Sequence, residues 1–351
     1  LTASSNPSKR IYVAGAGTGK TSMLREIALE RCIDRRVLYL TYTDANAAEF
    51  REAIVRRVGH MPVNITVMTW FSFLLIHGVR PFPARGFNHR IDRMLFNDQD
   101  PRNARGVQRG DERYYCPHPG VAYRTRLADL AFLCNEQWGG EVVQRVCNIF
   151  GAILVDEAQD FAGYDYDLLH ALMKQSKEMV IVGDPRQQTY RTGAKAKNKA
   201  NPDIFDFFVR NTQYTVDSTT LSVTHRCSDT IISLANRLYD DYPPVAPSGD
   251  RARDPRGRVT TVSISELKGW ALSRKARTVA LVWDSRTTVP LGFPVMTMGE
   301  SKGLTLEDVV IFPTGEMKKW IENKPSKLKG QTKAKFYVAM TRARGDLYFV
   351  V

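Results

Sequence analysis

At 351 residues with 43% hydrophobic content, the chain is long enough for two core-bearing domains and too apolar for a disordered polypeptide. Fifty Lys and Arg against 37 Asp and Glu give a formal charge of +13, which favours a polyanionic partner such as nucleic acid. The five cysteines form no CxxC pair and no apolar run approaches the roughly 18 residues of a membrane span, so a disulfide scaffold, a zinc module and a membrane protein are set aside for a cytoplasmic chain with free thiols.

The first expected strand, Ile11–Val13, runs into Ala14-Gly15-Ala16-Gly17-Thr18-Gly19-Lys20-Thr21 and then a helical stretch from Ser22. Strand, glycine-rich turn and helix N-terminus together make a phosphate-binding loop, in which Lys20 reaches the β/γ-phosphates and Thr21 holds Mg²⁺. Ala14 stands where the strict pattern has glycine. Further strands are expected at Val37–Thr43, Ile65–Thr69, Ala152–Asp156 and Met179–Gly183, with helical patterns between them. This alternation argues for an α/β fold on a parallel sheet, with ligands at the carboxyl ends of the strands.

Residues 76–150 break the rhythm and read as an insertion, loop-like from Arg80 to Arg113 and helical from Tyr123 to Cys147. The strand that follows ends in Asp156-Glu157-Ala158-Gln159-Asp160. Asp156 suits magnesium and Glu157 a general base towards water, while Asp160 is expected to cap the next helix. The next strand ends in Gly183-Asp184-Pro185-Arg186-Gln187-Gln188-Thr189-Tyr190, where an amide can read a γ-phosphate and an aromatic can touch a base. A second alternating series begins near Leu221, with a helix over Asp229–Tyr239 and strands at Val259–Val262, Thr278–Trp283, Val295–Met298, Val309–Phe312 and Leu347–Val351. The proline-rich, charged stretch Pro243–Arg258 reads as a surface loop.

The order of these segments resembles the UvrD/Rep type of superfamily 1 helicases. The resemblance is carried by Ala14–Thr21, Thr41–Glu49, Val155–Asp160, Val182–Tyr190, Thr224-His225-Arg226-Cys227, Met298–Leu304 and Tyr337–Arg344. It implies two RecA-like P-loop lobes with parallel sheets, the first over 1–75 and 151–212 and the second over 213–351. Residues 76–150 form a small, mostly helical insertion in the first lobe. It also implies an enzyme that couples Mg-ATP hydrolysis to lobe closure and 3′→5′ stepping on single-stranded DNA.

By this likeness Gly15, Ala16, Gly17, Thr18, Gly19, Lys20, Thr21, Ser22, His225 and Gly303 contact the nucleotide, and Thr21 and Asp156 hold the metal. Arg226 and Arg342 act as arginine fingers beside Glu157, and Gln187 couples the γ-phosphate to the nucleic acid. Tyr42, Thr43, Thr69, Ser72, Tyr190 and Lys302 contact the single strand. His225 either stacks on adenine or is an ordinary surface residue, and Trp70 and Phe71 serve either the groove or the core. Ser22, where many relatives carry arginine, and Thr305, in place of an acidic residue, predict relaxed nucleotide preference.

The stretch between Arg226 and Lys302 is too short for the second accessory domain of larger relatives, as in the compact phage- and prophage-associated branch. An alternative activity is therefore a nucleotide-gated switch, or a motor that needs a protein partner to unwind or to find its target. RNA is the alternative nucleic acid.

Overall fold

Short β-branched and aliphatic runs bounded by glycine loops or helix caps become strands, and the computed structural model describes residues 8–96, 106–189, 197–198, 203–274, 277–289 and 292–351. By its internal contacts the chain divides into two units. One comprises 1–12, 21–183 and 191–217, and the other comprises 13–20, 184–190 and 218–351.

The first unit is built on a six-stranded sheet ordered Ile65–Thr69, Val37–Thr41, Ala152–Val155, Glu178–Gly183, Lys9–Val13, Val216–Asp217. Val37–Thr41 pairs in parallel with Ile65–Thr69 and with Ala152–Val155, which pairs in parallel with Glu178–Gly183. Five of these strands fall within two residues of their expected limits. The edge strand Val216–Asp217, parallel to Ile11 and Tyr12, is only two residues long and has no periodicity to betray it. Helix Asp44–Val58 starts from Thr43, whose hydroxyl accepts from the Asn46 amide at 3.2 Å, and stops at Gly59 in the left-handed region.

The 76–150 stretch opens within a π-helical turn at Leu74–Val79 and, among its described residues, carries a short parallel strand pair, Arg93–Leu95 with Val121–Tyr123. Its two main helices are Leu127–Gln137 and Glu141–Ile149, where the helical pattern was read.

Asp160 does not cap a helix as expected. The helix begins at Tyr164 with Gly163 at its cap position, and Asp160 instead ends a short 3₁₀ turn, Ala158–Asp160. The carboxylate that organises this corner belongs to Asp165, which accepts from the Ala162 amide at 2.9 Å and from the Trp70 indole at 2.7 Å. Burial still pushes its carboxyl up to about 6, against an unfolded value of about 3.9. A raised folded value means that folding favours the protonated form. The stabilisation is complete below about pH 4 and is lost as pH rises through about 6, an effect on the order of 3 kcal/mol. The unfolding free energy of the native chain minus that of Asp165→Asn should therefore fall by about that amount between pH 4 and pH 7. A difference that is flat with pH would contradict this.

The second unit holds a five-stranded sheet ordered Val259–Val262, Leu347–Val350, Asp308–Ile311, Thr278–Val282, Val295–Thr297, with every neighbouring pair parallel. Ile231, Ile232, Val309, Ile311, Phe336, Met340 and Phe349 share one buried cluster with Ala16 of the glycine loop. The expected loop from Pro243 to Arg258 does contain a short strand, Ala246–Pro247, beside Val223–Thr224, and one helical turn at Gly249–Ala252.

Candidate nucleotide and nucleic-acid site

In the first unit the chemistry gathers at the carboxyl ends of the strands, where backbone groups and side chains face out of the sheet. Thr21 follows Lys20, the first residue of helix Lys20–Arg31, and its hydroxyl donates to Asp156 Oδ2 at 2.8 Å. The same oxygen accepts from the Tyr39 hydroxyl at 2.8 Å, and Asp156 Oδ1 accepts from the Glu157 amide at 2.8 Å. Tyr39 is fully buried and stacked on Phe50 with centroids 3.6 Å apart. Burial first, and the Asp156 charge second, drive its phenol well above the usual range, so it remains a donor. The oxygen-only donors of Thr21 and Asp156 suit a hard divalent cation such as magnesium.

Glu157 has φ 54° and ψ 41°, the left-handed region in which residues with a side chain are rare. Such a backbone costs on the order of 1–3 kcal/mol and persists only where its surroundings hold it. Here the Asp156 carboxylate takes its N–H, and the Gln159 amide donates to its carboxylate oxygen Oε2.

Tyr42, Thr43 and Thr69 also sit at strand ends, since Thr41 pairs with Thr69 across the sheet, and Ser72 lies in the short helix Trp70–Phe73 that follows. Tyr42 is half-buried and meets Phe71 and Phe161 edge to face, at 5.2 and 5.8 Å. Thr43 is exposed at its helix cap, and Thr69 donates to the Ser72 hydroxyl at 3.0 Å. Trp70 is fully buried, with its indole on Asp165, which favours the core alternative for that residue. Ser22 is exposed. Tyr190 lies outside the described residues.

In the second unit the glycine loop is seated by backbone contacts. Gly15 N donates to Leu221 O at 3.1 Å, and His225 N donates to Gly17 O at 2.9 Å. Gly17 has φ +71°, and a Cβ there would fall 2.7 Å from both Arg226 Cβ and Thr224 Oγ1, so glycine alone fits. Thr18 closes the turn onto Gly15 O at 3.0 Å, Gly19 adopts φ +84°, and Lys20 is only 9% exposed.

Arg226 donates to Thr341 O at 3.2 Å, whereas the neighbouring His225 side chain is exposed. Arg342 is buried and donates to Leu304 O and Val338 O, and to Gln187 Oε1 at 3.1 Å. Gln187 in turn donates to Asp184 Oδ2 at 2.7 Å. The structure thus brings Gln187 and Arg342 together, and Arg226 beside Gly17. Gly303, at φ +88°, immediately precedes the Leu304 carbonyl that Arg342 holds. Lys302 is half-buried in the same turn.

Sequence reasoning passed over Tyr39, Gln159 and Arg186. Arg186 is 2% exposed; it pairs with Asp184 at 3.1 Å and donates to Ala14 O at 3.2 Å and to Pro243 O at 2.5 Å.

Residues 2–193 match the family described as an AAA domain, and residues 141–351 match the viral superfamily 1 RNA helicase core domain. DNA helicase II of Escherichia coli (strain K12) is 24% identical over 286 residues, covering 67% of this chain and 38% of that protein. The chain therefore spans under two-fifths of the length of that relative. Among solved structures, the arterivirus nonstructural protein 10 helicase aligns with 97% of this chain and 59% of its own, at TM-score 0.48 and 17% identity. Its complex with DNA aligns with 97% and 61%, at TM-score 0.48 and 16% identity.

Proposed function

The chain belongs to the superfamily 1 helicases, and on that premise we propose that it is an ATP-driven motor that steps 3′→5′ along single-stranded DNA. The observation that most supports ATP hydrolysis is the Thr21–Asp156 hydrogen bond, which joins the end of the glycine loop to a strand-end carboxylate. Lys20 and the backbone of residues 15–21 bind the phosphates in this reading, and Thr21 and Asp156 hold magnesium. The ion, when bound, supplies positive charge to the phosphate oxygens.

Glu157 takes the proton of the attacking water. Arg226 and Arg342 balance the charge that develops on the transferring phosphoryl group, because a guanidinium fork matches phosphate oxygens. Gln187, bonded to Arg342, relays the state of the γ-phosphate towards the nucleic acid. Tyr42, Thr43 and Thr69 at the strand ends and Ser72 in the helix that follows, with Lys302, grip the nucleic acid by stacking and by phosphate contacts.

RNA is a second reading, favoured by the RNA helicase description of the family that matches residues 141–351. ATP turnover measured with DNA and RNA of identical sequence separates the two. The DNA reading expects the larger stimulation from DNA, and equal or greater stimulation by RNA would overturn it. Displacement from a 3′-tailed but not a 5′-tailed duplex reads the polarity.

A further inference from the structure

Glu157 is expected to do the chemistry, yet its backbone lies in a strained region and its side chain needs something to aim it. Gln159, two residues on, is fully buried, and its Nε2 donates to Glu157 Oε2. Since a carboxylate only accepts, the amide must face it with nitrogen, and this turns Gln159 Oε1 the other way, towards strand Glu178–Gly183. There the chain has Gly183. A Cβ on that residue would stand 2.5 Å from Gln159 Oε1, 2.9 Å from Ala158 N and 3.0 Å from Gln159 N. The glycine is not at a positive φ, so its need here is space and not backbone freedom. The gap at Gly183 and the amide of Gln159 together fix where the Glu157 carboxylate points.

We propose that Gln159 is a positioning residue for Glu157, and that the absence of a side chain at Gly183 is what allows Gln159 to adopt that position. The inference rests on the assignment of Glu157 as general base. Its logic is that a base displaced by about 1 Å from its working position loses on the order of 10²-fold in rate while ATP binding, which it does not serve, is unchanged.

The test uses the full chain with single-stranded DNA, measuring kcat and KM for ATP, the Kd of a non-hydrolysable ATP analogue, and thermal unfolding. Gln159→Ala should lower kcat by about 10- to 100-fold, with analogue binding within about twofold of the native protein. Gln159→Glu keeps the shape but sets a carboxylate against a carboxylate, and should lose at least as much. Gly183→Ala should reproduce the loss in the native background and cost clearly less once Gln159 is already alanine, the remainder coming from the Ala158 and Gln159 backbone amides that the new Cβ also meets.

An unchanged kcat in Gln159→Ala, or the same cost of Gly183→Ala in both backgrounds, would overturn the proposal. So would parallel losses of kcat, analogue binding and thermal stability, which mark a merely structural role. If Glu157→Gln itself leaves turnover intact, the general-base assignment fails and this proposal with it. If Glu157→Gln abolishes turnover while Gln159→Ala does not, this proposal alone fails.

Discussion

Replacing Glu157 by glutamine is expected to leave nucleotide binding intact and to slow ATP turnover by about 10²- to 10⁴-fold, the range that general-base catalysis contributes. The substitution keeps the volume of the side chain and a carbonyl oxygen for the Gln159 amide, so the left-handed backbone at φ 54° retains its support. What it removes is the lone pair that accepts the proton of water. The Thr21–Asp156–Tyr39 cluster is untouched, so affinity for the nucleotide should change little. Equilibrium binding of a fluorescent ATP analogue beside steady-state turnover reads both halves of the expectation. Turnover within a few-fold of the native protein would remove Glu157 from the chemistry.

The second large effect is on stability. Arg186 carries a buried charge that pairs with Asp184 two residues away and also reaches two carbonyls distant in sequence: Ala14 O lies 172 residues away and Pro243 O lies 57 away. Its guanidinium also lies 5.2 Å from the Tyr242 ring, and its own carbonyl accepts from Tyr239. Arg186→Met removes one half of a buried ion pair and takes the guanidinium away from Asp184, which is fully buried. Breaking such a pair costs about 3–5 kcal/mol. Removing both charges in Asp184→Asn with Arg186→Met should cost less than the arginine change alone, because no buried carboxylate is then deprived of its ion-pair partner. Denaturant unfolding of the three proteins measures this, and a single variant as stable as the native chain would show that the pair contributes little.

These two residues mark what a sequence reveals and what it hides. The place of Glu157 was legible because two acidic residues follow an apolar run downstream of a glycine loop, and that run forms the strand Ala152–Val155. The strands themselves were legible for the same reason: Ile65–Thr69 and Val259–Val262 are apolar or β-branched runs with clear stops, and they form where expected.

Arg186 sits between Pro185 and Gln187 and reads as a polar turn residue, because two of its acceptors are distant backbone carbonyls that no side-chain pattern announces. Tyr39 looks like one more apolar residue of a buried strand until the fold brings Asp156, 117 residues away, onto its hydroxyl. Gln159 was overlooked between the acidic residues Glu157 and Asp160. The expected cap at Asp160 failed because Gly163 delays the helix to Tyr164, and the carboxylate of Asp165 then takes over that corner.

The proposed coupling of ATP hydrolysis to single-stranded DNA is tested by steady-state ATP turnover of the native protein, with and without single-stranded DNA in magnesium buffer. Turnover that rises strongly on adding the DNA, and that Glu157→Gln abolishes, is the predicted result. A basal rate unmoved by DNA, or no ATP turnover in either condition, would contradict it.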